Sequence, residues 1–367
     1  MARYFVGLMA GTSLDAVDAA LVALADDGTV AVAHICSRPI PQALRSELAD
    51  IGPRTHLETV VEADERVADL FATTVDDLLA RADMTADCIT AIGSHGQTVW
   101  HRPGAPAAAT VQIGNPNRIA EITGIRVIAD FRRRDIAAGG EGAPLAPAFH
   151  LALLRQHGQT GAALNLGGIA NLTIATGASP LGFDCGPANT LLDGWAARHL
   201  GVAYDDRGQW AATGHADDAL LTELLADEFF GAPPPKSTGP EHFNLAWLEA
   251  RLARHRTLSP EDVQATLTEL TARSVADALK RTSPAPSRLL VCGGGVHNDY
   301  LMARLATVLP DWRVETTAAL GVDPDYVEAA AFGWLAARTL DGLAGNVPSV
   351  TGAAQPVVLG GVYAGSL

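Results

Sequence analysis

The sequence predicts an α/β protein of two domains, each a mixed sheet with helices on its faces. Three observations predict it. The chain has 367 residues, long for a single core. Strands alternate with helices once an opening run of strands has passed. Three strands followed by helices also occur twice, from residue 3 and again from residue 162, without repetition of sequence.

Composition narrows the partners. Hydrophobic residues are 48% and charged residues 18% of the chain, as in ordinary globular proteins. A net charge of −15 argues against nucleic acid or an anionic membrane as partner. It leaves room for a small anion in a locally positive site. No apolar run reaches the roughly 18–20 residues of a membrane span. Residues 4–10 are too short for a secretory signal, and Asp15 and Asp18 follow too closely. Cys36, Cys88, Cys185 and Cys292 stand far apart, without zinc-ligand spacing. A cytoplasmic location is expected.

Taken in order, residues 3–10 and 19–23 are apolar strands flanking the turn Gly11-Thr12-Ser13-Leu14-Asp15-Ala16-Val17-Asp18. The turn Asp26-Asp27-Gly28 leads to a third strand over 29–35. Residues 57–82 are apolar at helical intervals, with acids on the other face. Residues 88–92 form a short buried strand entering Gly93-Ser94-His95-Gly96-Gln97-Thr98. A strand at 111–114, a helix at 116–123 and a strand at 125–129 follow. Asp130-Phe131-Arg132-Arg133-Arg134-Asp135 then opens a loop ending at 139–144, the expected domain junction. Past a helix at 147–156, residues 162–166, Gly167-Gly168 and 171–175 repeat the strand, glycine turn, strand order. Residues 181–184 are a strand and 187–199 a helix. Ser259-Pro260-Glu261-Asp262 is a helix start, with a capping serine and acids in the first turn, for a helix reaching about 281. Residues 288–292 are a buried strand running into Gly293-Gly294-Gly295 and a helix from 298. A last long helix covers about 326–340, and 346–367 is a Gly/Pro/Val-rich tail.

Several chemistries are excluded by pattern. There is no Walker lysine loop, no G-x-G-x-x-G after a strand and no G-x-S-x-G elbow. Three glycine turns remain, each directly after an apolar strand: Gly11-Thr12-Ser13, Gly167-Gly168 and Gly293-Gly294-Gly295. Singly, each is commonly just a tight turn. Together, with backbone N–H groups and a helix start, they suit a nucleotide phosphate held between two domains. Asp184 ends a strand, where a carboxylate can act as general base or can cap the next helix. Asp15 and Asp18 either hold magnesium or face solvent. Arg132-Arg133-Arg134 is either a solvated run or a source of a guanidinium for an anion. Lys236, on a Pro/Gly-rich loop, reads as solvent-exposed, with a lid as the alternative.

In order, these residues resemble the anhydro-N-acetylmuramic acid kinases. The matching motifs are Gly7-Leu8-Met9-Ala10-Gly11-Thr12-Ser13-Leu14-Asp15, Gly93-Ser94-His95-Gly96-Gln97-Thr98 and Asp130-Phe131-Arg132-Arg133-Arg134-Asp135, then Asn165-Leu166-Gly167-Gly168-Ile169-Ala170-Asn171, Gly182-Phe183-Asp184-Cys185-Gly186-Pro187 and Pro234-Pro235-Lys236-Ser237-Thr238-Gly239. Thr266-Leu267-Thr268-Glu269-Leu270-Thr271, Cys292-Gly293-Gly294-Gly295 and Glu328-Ala329-Ala330-Ala331-Phe332 complete them.

The resemblance implies two actin-like (RNase-H-like) domains, each with a mixed five-stranded sheet flanked by helices, and an active site in the cleft between them. The domains would be 1–132 and 133–340, with 341–367 packing on the first. It implies ATP with Mg2+, and a reaction in which water opens the 1,6-anhydro ring while O6 is phosphorylated, giving N-acetylmuramic acid 6-phosphate in peptidoglycan recycling. Asp184 would be the general base. Arg133, Glu328, His95 and Ser13 would contact the sugar. Gly11 through Asp18, with Gly167, Gly168, Gly293, Gly294 and Gly295, would hold ATP, and Asp15 the metal, through water. A homodimer is a family expectation. Ala10, Ala16 and Glu141 depart from the serine, glycine and glutamine usual in the family; Glu141 adds negative charge near the sugar. A levoglucosan kinase and a non-catalytic actin-like filament or binding module are the alternatives. The arginine cluster favours an acidic sugar over levoglucosan, and Asp184 favours an enzyme.

Overall fold

Three antiparallel strands open the chain, β1 (Arg3–Ala10), β2 (Ala16–Leu24) and β3 (Val30–Pro39). Next come α1 (Gln42–Asp50), α2 (Leu57–Ala82), β4 (Ile89–Arg102), β5 (Ala109–Ile113), α3 (Pro116–Thr123), β6 (Val127–Ala129), α4 (Phe131–Ala137) and α5 (Ala146–Gln156). The scheme then restarts with β7 (Gly161–Leu166), β8 (Ile169–Ile174) and β9 (Leu181–Pro187). After these come α6 (Asn189–Leu200), α7 (Asp218–Leu225), α8 (Glu228–Gly231), α9 (Leu245–Leu252), α10 (Pro260–Thr282), β10 (Arg288–Cys292), α11 (Asp299–Val308) and β11 (Arg313–Thr316). The chain closes with α12 (Val327–Leu340), α13 (Pro348–Thr351) and β12 (Gly361–Tyr363). The structure is a computed structural model, and it describes residues 2–11, 13–104, 108–158, 160–175, 180–255, 257–282, 285 and 287–365.

The chain divides into one unit of Met1–Gln156 with Tyr326–Leu367 and another of His157–Asp325. In the first, the sheet order is β12-β6-β4-β1-β2-β3, with β5 paired to β4. In the second it is β11-β10-β7-β8-β9. Strand for strand, β6-β4-β1-β2-β3 and β11-β10-β7-β8-β9 are one arrangement: an antiparallel meander whose first strand runs parallel to a later one. The doubled meander of the sequence is therefore a doubled sheet. The first sheet has seven strands rather than the expected five. β5 folds back on the outer end of the long β4, and three tail residues pair with β6.

Alternation along β1 and β2 turns Val6, Leu8, Val17, Ala19 and Leu21 onto Phe71, Val75 and Leu78 of α2. The opposite face carries α12. Gly7 of β1 and Gly93 of β4 are register partners on adjacent strands. A Cβ on Gly7 would strike the Ala329 carbonyl and the Gly333 amide, and one on Gly93 the Phe332 carbonyl. Two absent side chains thus let a helix backbone lie directly on the sheet. α5 packs on the same helix, with Phe149 and Trp334 rings 6.0 Å apart.

These contacts place the division elsewhere than at 132/133 and 340/341. α4, α5 and α12 all belong to the first unit, and the loop at 139–144 lies inside it. Two local expectations also change. Residues 93–98 continue β4 rather than leaving it, because the strand passes from pairing with β1 to pairing with β5 there. Gly96, at φ +74°, sits at that transfer. Residues 131–135 are helix rather than loop: Asp130 turns left-handed at φ 61°, and buried Phe131 and Asp135 anchor α4.

In the second unit, Leu164, Leu166 and Leu172 pack with Leu267, Leu270 and Val275 of α10. The Ser259 hydroxyl accepts from the Asp262 amide at the start of that helix, as the sequence pattern requires.

Candidate active site

In the first unit, α12 rests on Gly7 and Gly93 and carries Glu328 in its first turn. Glu328 is exposed at the start of that helix. Desolvation raises its carboxyl above the usual glutamate range, Arg132 opposes this, and Asp18 adds to it. Asp18 is half-buried on β2, opposite Met9.

His95 is buried, 4% exposed, with its ring 4.7 Å from Phe332. Its Nδ1 lies 2.7 Å from the Gly96 carbonyl oxygen. A carbonyl only accepts, so Nδ1 carries the proton and Nε2 is left as an acceptor. Arg132 Nε–H donates to that Nε2 at 2.9 Å, and Arg132 Nη1 donates to the Gly142 carbonyl at 2.8 Å. Burial first, and the Arg132 charge second, hold His95 neutral, well below the usual histidine range.

Beside this pair is a polar cavity of about 180 Å³, lined among others by Asp64, Ser94, His95, Gln112, Asp130 and Arg133. Arg133 is exposed; its Nε donates to the Thr110 carbonyl at 3.2 Å and lies 3.5 Å from Asp130. Burial raises the Asp64 and Asp130 carboxyls. The structure thus brings His95 and Arg133 to one cavity.

The opening turn is compact: Leu14 is left-handed at φ 57° and its amide donates to the Gly11 carbonyl at 3.2 Å. Ser13 is exposed, Val17 joins the core, and Thr12 lies outside the described residues. The Asp15 side chain is 68% exposed and paired with Arg45 at 3.2 Å.

In the second unit, Asp184 stands on β9 opposite Asn171 of β8. Asn171 Nδ2 donates to Oδ1 at 2.8 Å, while the Ser237 hydroxyl at 3.0 Å and the Thr238 amide at 2.9 Å donate to Oδ2. The carboxylate is half-buried and fixed from two sides. It does not cap α6, whose N-cap position is Ala188. Lys236 is not solvent-exposed either. Its ammonium donates to the Phe229 carbonyl at 2.8 Å, sits 4.4 Å over the Phe229 ring, and so pins the loop that holds Asp184.

The two glycine turns of this unit meet. Gly293, at φ +80°, and Gly295 press on Leu166, where a Cβ on Gly295 would fall 2.5 Å from the leucine Cβ. The Gly167 and Gly168 carbonyls accept from the amides of residues 188–190 at the start of α6. Nothing lies within 4 Å of a Cβ on Gly294.

The open turn at Gly294 fits a phosphate group. Gly294 leaves its backbone open to close approach. Among the described residues no three His, Cys, Asp or Glu cluster for a metal. Among those residues no helix is long and apolar enough to cross a membrane. The sequence reading did not single out Asn171, although it is a polar residue in an apolar strand after a glycine turn. Asp64 carried no usable signal, since it is one of many acids on α2.

A family model described as anhydro-N-acetylmuramic acid kinase matches residues 3–365. The chain is 48% identical over 364 residues to a protein of that name from Pasteurella multocida, covering 98% of this chain and 96% of that one. To one from Xanthomonas oryzae pv. oryzae it is 52% identical over 366 residues, covering 98% and 97%. To one from Pseudomonas paraeruginosa it is 49% identical over 367 residues, covering 99% of each. Among solved structures it is similar to (R)-2-hydroxyglutaryl-CoA dehydratase component A of Acidaminococcus fermentans, at 12% identity and a TM-score of 0.47, covering 90% and 96%.

Proposed function

The chain belongs to the anhydro-N-acetylmuramic acid kinase family, and from that premise we propose how its residues carry the family's reaction. Water adds to the anomeric carbon of 1,6-anhydro-N-acetylmuramic acid as the C1–O6 bond breaks. The freed O6 takes a phosphoryl group, giving N-acetylmuramic acid 6-phosphate and ADP. ATP with magnesium supplies that phosphoryl group and neutralises its charge when bound.

Asp184 takes the proton from the water. The observation that carries this is its fixed carboxylate: three donors on two sides leave it one orientation, which a positioned base requires. Arg133, Glu328 and Ser13 contact the sugar, and His95 forms part of the wall of the cavity that receives some of it. Gly11 through Asp18, Gly167, Gly168 and Gly293 through Gly295 serve the nucleotide by their backbone groups. Asp15 would reach magnesium only through water and against its Arg45 pair. A cytoplasmic site of action suits the need for ATP, and a homodimer accords with the family.

The test is to incubate the protein with ATP, magnesium and either anhydro-N-acetylmuramic acid or levoglucosan, following ADP and sugar phosphate. Turnover of the muramyl sugar is expected, with levoglucosan poor. Turnover of neither would sink the reading. Asp184→Asn should abolish turnover and leave ATP binding intact; near-normal rates in that variant would remove Asp184 as the base.

A further inference from the structure

We propose that His95 is a positioning residue that touches Arg132 rather than the sugar, fixing the Arg132 guanidinium for the sugar side of the site. This rests on the kinase reading above and adds a role to one of its residues.

Both ring nitrogens of His95 are engaged within the protein, one by the Gly96 carbonyl and one by Arg132 Nε–H. A ring so occupied has no nitrogen left to offer a ligand. Arg132 is in turn held at two points, His95 and the Gly142 carbonyl. A guanidinium has five N–H donors. With Nε and one Nη1 hydrogen committed, its Nη2 edge keeps two, and among the described residues no hydrogen bond to Nη2 occurs. Two fixed points on a planar fork set where the remaining edge faces. His95 also lines the cavity assigned to the sugar, so a guanidinium held on its Nε2 is held beside that cavity. The Phe332 ring, its centroid 4.7 Å from that of His95 and backed by Phe131 at 5.3 Å, holds the imidazole plane in place.

The arrangement makes the Nε2 acceptor the part that matters. Glutamine can place its Oε1 near Nε2 and accept from Arg132; leucine cannot. Calorimetric binding of anhydro-N-acetylmuramic acid, without turnover, is the first measurement. His95→Leu should weaken sugar binding at least ten-fold and leave ATP binding within two-fold, and His95→Gln should recover most of the loss. In steady state the same variants should raise KM for the sugar more than they lower kcat. If glutamine and leucine are equally impaired, or if ATP binding falls in parallel, the role is overturned.

A second measurement needs neither folding of the leucine variant nor any sugar. The 15N shifts of His95 at neutral pH should report an Nδ1–H tautomer with an acceptor Nε2, and Arg132→Gln should move the Nε2 resonance. An unmoved resonance would exclude the contact. Failure of the wild-type protein to turn over the sugar would count against the kinase reading and leave this measurement to decide the His95–Arg132 contact.

Discussion

Gly7→Ala should be among the most damaging small substitutions in the chain. The added Cβ would collide with the Ala329 carbonyl oxygen, with the Gly333 amide nitrogen at 2.5 Å and the Ala329 carbonyl carbon at 2.9 Å. Carbon contacts settle near 3.5–4.0 Å, so α12 would have to lift by about 1 Å. Neither struck group is a side chain that can rotate away. Both are backbone, in the first two turns of the helix that carries Glu328. Overpacking of this kind costs about 3 kcal/mol, the upper part of its usual range. For a unit of this size that is roughly a 6–12 °C fall in melting temperature. Gly11→Ala is the matched control, because its Cβ would meet only the Ser13 hydroxyl at 3.8 Å. Scanning calorimetry of both variants, with the coupled ADP assay, measures the contrast. Gly7→Ala should melt early and lose activity, and Gly11→Ala should melt with the wild type. A Gly7→Ala protein melting within 2 °C of wild type would refute the packing of α12 on the sheet as the reason for this glycine.

Gly293 and Gly294 can be separated in the same way. Gly293→Ala forces a left-handed residue against Leu166 and Asn165 and should cost about 1–3 kcal/mol in a denaturant melt. Gly294→Ala, with open space around its Cβ, should melt within about 0.5 kcal/mol of wild type yet weaken ATP binding; unchanged ATP binding would take Gly294 out of the phosphate site. His150 gives a pH test. Burial in α5 holds its imidazole down at about 4, against about 6.5 unfolded. The unfolded chain therefore takes the proton first. The contribution is complete above pH 6.5 and is lost progressively toward pH 4, roughly 3 kcal/mol in all. Urea unfolding of His150→Leu should lose less stability across that window than the wild type, and equal losses would contradict it.

Much of the fold was legible because local periodicity records it. The apolar runs of β1, β2, β7 and β8, the helical face of α2 and the capped start of α10 recur in the structure, with element ends shifted by up to three residues. What was not legible depends on partners far along the chain. Gly7 reads as the start of a turn motif, but its reason is a helix over three hundred residues later. Gly93 and Gly96 read as a strand exit, whereas β4 runs through them because β5 takes over its pairing. β12 is three residues long, too short for any alternation to show. In the site, Asp184 was visible as a carboxylate at a strand end, but its three donors come from β8 and a loop some fifty residues on. The arginine cluster announced a guanidinium without saying which one. That distinction rests on α4 being helical, which sends Arg132 to His95 and Arg133 to the cavity beside it.

The discontinuity of the first unit bears on how the chain is made. Residues 157–325 form a continuous segment and contain every strand of their own sheet. The first unit begins to emerge earlier, but the helix that covers β1 and β4 and the strand that pairs with β6 are encoded after residue 326. Asp135 likewise waits for Asn346 and Thr351 to satisfy its buried carboxylate. During vectorial synthesis the inserted unit can therefore close first, while the earlier one stays open along a glycine-lined face of its sheet. The unit whose first strand precedes the inserted one is completed after it.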